Sequence, residues 1–317
     1  MRVIPTSVRD MSFRMRAKLE GRAADLPAGY LSPNLRIIPP FELSFISAAA
    51  THTPGLHTDG AAPSRAAEEI AEARAEGWPE PGLCLRFSMG LENAGVGYFV
   101  LASECQRDML TPEVVSSCVT VDEHGRYVTT LHQQRWTADG TDHIDGPDGS
   151  AGFARLQPAH GHTHYDHVWA FNLFRIMDED RVPGDPKPAA LPEPVPGRKL
   201  GFEPTRELMT DWNRFYQDLV PAPKGGWVEL PPGCGDVYEW NRGGNYVDFP
   251  RSAAGVPQSG YYVLLGTADP EGKVIEGDEG DNVSYALIRV GAREPFDVDL
   301  LERATAPDPG TRSGSGS

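Results

Sequence analysis

Nowhere in the 317 residues is there an apolar run approaching the roughly 18 residues of a membrane-spanning helix, so no such span is predicted. Residues 1–20 carry charges scattered throughout instead of the apolar stretch of a signal peptide, and the sequence as written shows no export address. Cysteine is scarce. The four present, Cys84, Cys105, Cys118 and Cys234, include no CxxC pair, which excludes a zinc ribbon and a thioredoxin-like redox pair. Cys105 and Cys118 are close enough in sequence to close a short disulfide; burial as separate thiols is the alternative. Basic residues are also short, 29 Lys and Arg against 45 Asp and Glu, and the formal charge of −16 repels phosphate backbones. Nucleic acid is therefore excluded as a partner. There is no internal repeat.

What is abundant is chain punctuation. The 34 glycines and 29 prolines leave room for many short strands and few long helices, so the fold is predicted to be mainly β, with the strand spacing of a sandwich, long loops and two short helices. Residues 83–89 and 96–101 read as strands joined by the turn Asn93-Ala94-Gly95, because the Asn/Gly pair tolerates positive φ. Residues 126–136 followed by Ala138-Asp139-Gly140 give a second turn. Residues 260–267 and 283–290, with Asp269-Pro270-Glu271-Gly272 after the first of them, form a third pair. The helices are expected at 64–76, rich in Ala and Glu and stopped by Gly77, and at 205–219, where Leu208, Trp212, Phe215 and Leu219 share a face. Residues 1–26 read as an N-terminal extension, 27–300 as one domain and 301–317 as a flexible tail ending in Ser313-Gly314-Ser315-Gly316-Ser317.

The strongest chemical signal is Pro158-Ala159-His160-Gly161-His162-Thr163-His164-Tyr165-Asp166-His167, which holds four of the nine histidines. Positions i, i+2 and i+4 share one face of a strand, whereas on a helix i and i+2 diverge, so His160, His162 and His164 imply an extended segment. Fully extended, the outer two would stand roughly 13 Å apart, and a bend, permitted by Gly161, is needed for three imidazoles to meet one ion. Imidazole suits copper, zinc, iron and nickel, and three ligands leave positions open for water or substrate. A polar strand with solvated histidines would carry the same letters. His162-Thr163-His164-Tyr165-Asp166-His167 also spells HxHxDH, a signature of zinc hydrolases; that reading requires ligand histidines further on, and His167 is the last histidine of the chain. A cupin would need a later histidine as well.

Several segments in order resemble the lysyl oxidase family. Pro158-Ala159-His160-Gly161-His162-Thr163-His164 followed by Trp169-Ala170-Phe171-Asn172-Leu173 looks like its copper segment and the strand after it. Leu85-Arg86-Phe87-Ser88, Asn93-Ala94-Gly95 and Gln134-Arg135-Trp136-Thr137-Ala138-Asp139-Gly140 look like the segments leading to the metal. Gly197-Arg198-Lys199-Leu200-Gly201-Phe202 is similar to the segment with the cofactor lysine, Gly233-Cys234-Gly235-Asp236-Val237-Tyr238 to that with the cofactor tyrosine, and Glu276-Gly277-Asp278-Glu279-Gly280-Asp281-Asn282 to an acidic turn near the family's end. Departures are Thr163 for an aromatic residue, Asp281 for the first Asn of an Asn-Asn pair, and Phe202-Glu203-Pro204 for Phe-Cys-Leu, which leaves Cys234 without the family's disulfide partner.

The resemblance implies a lysyl oxidase-like β-sandwich, secreted, with copper on His160, His162 and His164 and a lysine tyrosylquinone built from Lys199 and Tyr238. It further implies a copper-dependent amine oxidase that converts primary amines or peptidyl lysine to aldehydes, with dioxygen as oxidant and ammonia and hydrogen peroxide released. A phenol beside a cation loses its proton readily, and a neutral lysine amine is a nucleophile toward an oxidised ring, so the residue types suit the chemistry. Asp236, Asp278 and His167 are candidates for the base that takes the substrate proton. A copper-binding domain of this kind without turnover, or a zinc hydrolase using HxHxDH, are the competing readings.

Overall fold

A computed structural model of the chain describes residues 29–47, 83–105, 118–122, 125–137, 141–146, 150–157, 162–166, 168–176, 194–197, 201–202, 208–209, 228–240, 245–251, 257–278, 280–291 and 298–305. Among these residues there is no helix. In chain order the strands are β1 (Leu35–Ser47), β2 (Leu83–Asn93), β3 (Phe99–Ala102), β4 (Thr120–Val121), β5 (Tyr127–Thr130), β6 (His132–Trp136), β7 (His143–Asp145), β8 (Phe153–Gln157), β9 (His162–Asp166) and β10 (Trp169–Ile176). They continue as β11 (Val195–Pro196), β12 (Gly201–Phe202), β13 (Leu208–Met209), β14 (Val228–Leu230), β15 (Cys234–Tyr238), β16 (Tyr246–Asp248), β17 (Gly260–Ala268), β18 (Val283–Val290) and β19 (Val298–Thr305).

Four sheets result. The first runs β1-β2-β15-β13 with β16 also on β2; the second β11-β10-β17-β18-β19; the third β12-β9-β8-β5-β4; the fourth β14-β3-β6-β7. Every pairing between these strands is antiparallel. The protein is thus mainly β, as composition predicts.

Aromatic side chains fasten the first sheet to the second. Phe87 of β2 meets Phe171 of β10 at 5.0 Å between ring centroids, and Phe249 packs on both Phe45 of β1 (4.8 Å) and Tyr262 of β17 (4.6 Å). Gly266 lets the layers close: a Cβ there would lie 2.7 Å from Phe171 Cε1 and 2.8 Å from Ile37 Cγ2. Leu85, Phe87, Met89, Leu91, Trp169, Phe171 and Leu264 lie in one buried cluster. Each such side chain contributes about 1.5–3 kcal/mol by leaving water. A smaller cluster holding Phe174, Ile176, Val263, Leu265 and Tyr285 forms on the second sheet, so its central strands are buried on both faces.

Residues 83–101 form two strands, as the turn predicts, but the strands belong to different sheets. β2 pairs with β1, β15 and β16, while β3 pairs with β14 and β6. Nor is positive φ the reason for glycine at 95, which is absent from the left-handed region. A Cβ on Gly95 would stand 2.3 Å from the Asn34 nitrogen, and one on Gly97 2.6 Å from the Leu31 carbonyl, so close backbone passage sets both. Asn93 is the hub of that passage. It is wholly buried; its Nδ2 donates to the carbonyls of Gly97 (2.8 Å) and Leu230 (2.9 Å), and its Oδ1 accepts from the N–H groups of Asn34 and Gly95, both at 3.0 Å.

The predicted C-terminal pair is present: β17 and β18 are antiparallel neighbours from Gly260↔Val290 to Thr267↔Val283. Asp269, at φ 40°, starts the turn after β17, its carboxylate accepting the N–H groups of Lys273 and Val274 at 2.8 Å each. Within the predicted helix 205–219, Leu208–Met209 are instead a strand paired with Gly235 and Cys234; the rest of that helix and all of 64–76 lie outside the described residues. The boundary expected at residue 300 falls inside β19. Cys105 and Cys118 form a disulfide, whereas Cys84 and Cys234 are buried as thiols. No helix among the described residues is long and apolar enough to cross a membrane.

Candidate functional site

The histidine segment enters the third sheet as β9, an extended strand from His162 to Asp166. Its partner on one side is β8, in the register Ala154↔Tyr165, Arg155↔His164, Leu156↔Thr163 and Gln157↔His162. On the other side is β12, with Gly201↔Asp166 and Phe202↔Tyr165. Successive side chains alternate across a strand. Tyr165, fully buried, faces the main core with Ala154, and His164 and Asp166 therefore occupy the opposite face. That face is not solvent: His164 is 2% exposed, Asp166 and Arg155 6% each.

Arg155 and Asp166 form a two-pronged ion pair, in which Nη2 donates to Oδ1 at 3.1 Å and Nε lies 3.0 Å from Oδ2. Arg155 starts opposite His164 and reaches diagonally along β9 to Asp166. Sequence reading missed Arg155, which looks like any surface arginine until β8 is laid beside β9. The only available signal was an arginine shortly before a histidine strand, across a connection of a few residues.

Of the predicted metal ligands, His164 is thus buried in a polar face. His162 contributes its backbone to β9, and His160 lies outside the described residues, as does His167. Among the described residues, no group of three His, Cys, Asp or Glu side chains is arranged to hold a metal ion. Donor chemistry can still be compared with the copper that the resemblance implies. The one predicted ligand whose side chain is described, His164, is a buried imidazole, a donor type that suits copper, zinc, iron and nickel alike.

Tyr238 ends β15, opposite Met89 of β2. Its ring stands edge-on to Trp169, 5.7 Å between centroids at 87°, and Trp169 in turn meets Phe171 at 5.9 Å. Trp169 is fully buried and opens β10, three residues after β9 ends. The structure therefore brings the tyrosine to the chain segment that follows the histidine strand. Lys199 lies outside the described residues, but the residues two positions to either side of it are described. The Gly197 N–H donates to the Phe171 carbonyl at 2.7 Å, and Gly201 pairs with Asp166.

Among the candidate bases, Asp236 is 1% exposed and precedes Tyr238 by two positions on the same strand, so both share a face with the core residues opposite them, Leu91 and Met89. Asp278 is exposed in the acidic turn, its Oδ1 accepting the Gly280 N–H at 2.7 Å. The rest of that turn is a clamp on the start of β1. Glu276 accepts the Leu35 N–H and, at 2.9 Å, the Asn282 amide, while the Asn34 amide donates to Asp281 Oδ2 at 3.1 Å. Burial pushes the Asp281 carboxyl up to about 6; the Asn34 hydrogen bond and, more weakly, Arg36 pull it down, and the nearby Asp278 charge pushes it up.

No protein-family model matches the chain, and no curated protein matches it.

Proposed function

We propose that the chain is a copper-dependent amine oxidase of the lysyl oxidase type, with His160, His162 and His164 as copper ligands and Lys199 and Tyr238 as the precursors of a lysine tyrosylquinone. Antiparallel sheets closing on a common core are what a lysyl oxidase-like β-sandwich requires. The observation that carries the reading is the meeting of three predicted segments on one stretch of backbone. The stretch 166–171 receives Gly201 at Asp166, the Tyr238 ring at Trp169 and the Gly197 N–H at Phe171. Lys199 stands two positions along the chain from either anchor, which supports a pairing of its amine with the tyrosine ring.

When formed, the quinone supplies the electron sink for oxidation of a primary amine or peptidyl lysine, with dioxygen as the terminal oxidant. The chain's own residues then have simple tasks. The fully buried Trp169 holds the half-buried Tyr238 ring from its edge. Of the two candidate bases among the described residues, Asp236 is the better placed, since it shares the face of Tyr238 whereas Asp278 is turned to solvent. A net charge of −16 draws cationic amines toward the molecule. A zinc hydrolase reading of HxHxDH fits less well, because the Asp166 carboxylate it would commit to a second ion is already ion-paired with Arg155 and accepts a hydrogen bond from its Nη2.

Peptide mass spectrometry of copper-loaded, aerated protein tests the proposal. The expected result is a covalent link between the peptides holding Lys199 and Tyr238, with peroxide released on adding alkyl amines. Recovery of the two peptides unlinked, from protein that carries copper, would leave a copper-binding domain without quinone turnover. Stoichiometric zinc in place of copper would overturn the oxidase reading altogether.

A further inference from the structure

We propose that the Cys105–Cys118 disulfide is a redox-sensitive stay for the histidine strand β9, so that its reduction loosens the third sheet while the second stays closed. The inference concerns the order of the strand and holds whether or not a metal binds there.

Both cysteines hang on one side chain of that sheet. Thr129 of β5 is 3% exposed, and its Oγ1 donates to the Cys118 carbonyl at 3.0 Å. With its single proton used there, the 2.8 Å contact between the Thr129 and Ser103 hydroxyls is donated by Ser103. Ser103 Oγ in turn accepts the Cys105 N–H at 3.1 Å. A chain of hydrogen bonds thus runs Cys105, Ser103, Thr129, Cys118, and the disulfide closes it into a ring. Ser103 directly follows β3, so the ring fastens the fourth sheet to the third.

From Thr129 the fastening passes straight across the third sheet. Thr129 stands opposite Ala154 of β8, and Ala154 opposite Tyr165 of β9, both wholly buried. Partners across a ladder share a face, so these three residues form one row on the core side, where Cys105 is also buried. Tyr165 is the residue between His164 and Asp166. β5 has 4 residues, and β8 and β9 have 5 each. Strands so short are held by what they pack on as much as by their ladders. The second sheet is built differently: β17 and β18 have 9 and 8 residues and carry a buried cluster of their own. Loss of the stay therefore falls on β9 and spares β17.

Cys118 is partly buried whereas Cys105 is 2% exposed, so an external dithiol attacks the Cys118 sulfur. The S–S bond breaks, and Cys105 leaves as a thiolate and takes a proton. The second sulfur of the dithiol then displaces Cys118 and closes the reagent into its own disulfide, leaving two protein thiols. A disulfide oxidant reverses both exchanges. The histidine strand is accordingly held in full only in a compartment where disulfides persist.

Hydrogen–deuterium exchange of the full chain, read by peptide over minutes of labelling, tests this before dithiothreitol, after it, and again after re-oxidation. The mass of alkylated cysteine peptides reports the state of the bond. In the reduced protein, residues 153–157 and 162–166 should exchange about tenfold faster or more and recover on re-oxidation, while 260–268 and 283–290 stay protected in both states. Thr129→Val, with the disulfide intact, should release 162–166 in the same direction, because it removes the hydroxyl on which both cysteines hang. Four results overturn the proposal: a bond that dithiothreitol leaves intact in the folded protein, reduction without change at 162–166, equal acceleration in both sheets, or a folded Thr129→Val protein that exchanges like the wild type. The wild-type comparison decides by itself if Thr129→Val does not fold.

Discussion

Replacing Asp281 by Asn should make the protein more resistant to rising pH, by an amount that can be worked from its surroundings. The carboxyl is pushed from 3.8 to about 6, chiefly by burial. A carboxyl with a raised value in the folded state holds its proton more tightly there than in the unfolded chain. Below pH 4 both states are protonated and nothing is lost; between about 4 and 6 the unfolded chain ionises first; above 6 the folded state carries the full cost of a buried charge. At about 1.4 kcal/mol per unit, the shift amounts to about 3 kcal/mol. The side chain is 20% exposed and Arg36 Nε lies 3.7 Å away. Solvent screening therefore brings the expected value nearer about 2 kcal/mol. Asparagine removes the titration, and it is also the residue that the family resemblance places at this position. Denaturant unfolding of wild type and Asp281→Asn at pH 4, 5, 6 and 7 measures the effect. The stability difference between them should move in favour of the variant by about 2 kcal/mol across that range. Any fixed effect of exchanging an oxygen for an amide is present at every pH and cancels from the trend. A difference that stays flat from pH 4 to 7 would refute the reasoning.

Other substitutions probe the frame. Asn93→Ala removes four hydrogen bonds from a fully buried junction and should cost about 4 kcal/mol in unfolding free energy, at about 1 kcal/mol each. Gly95→Ala drives a methyl into the Pro33–Asn34 backbone and should lower stability by about 2 kcal/mol or more, read from the shift in denaturation midpoint. Converting Cys105 and Cys118 together to serine opens a loop with a sequence separation of 13 and should cost about 3 kcal/mol, with reductant then no longer affecting the protein's midpoint.

Which parts of this were legible in the sequence depends on how local their causes are. The segment at β9 announces itself, because histidines at alternate positions serve one face only on a strand. The turn after β17 is equally readable: Asp269 accepts two N–H groups of the residues that follow, a purely local contact. Pairing is different. β2 is buried on both faces along most of its length, so it lacks the alternation that would reveal which neighbours it takes. Its partners come from residues 35–47, 234–238 and 246–248, far away in sequence. At Leu208–Met209 the amphipathic pattern suggests helix, but pairing with β15 overrides the local preference. Asn93 reads as a turn residue, while its buried amide works across two sheets. Arg155 acquires its meaning only when β8 is folded back on β9.

Tyr238 pairs with Met89, roughly 150 residues earlier, and the strand that links them also needs β1 on its other edge. Contacts of such long sequence separation form late and slowly. On a ribosome, β8 and β9 can meet as soon as both have emerged, but the tyrosine reaches its place only after β15, about 70 residues further on, has emerged as well. The histidine hairpin is thus an early product of biosynthesis and the tyrosine's seat a late one, so any chemistry joining the two must follow closure of the first sheet.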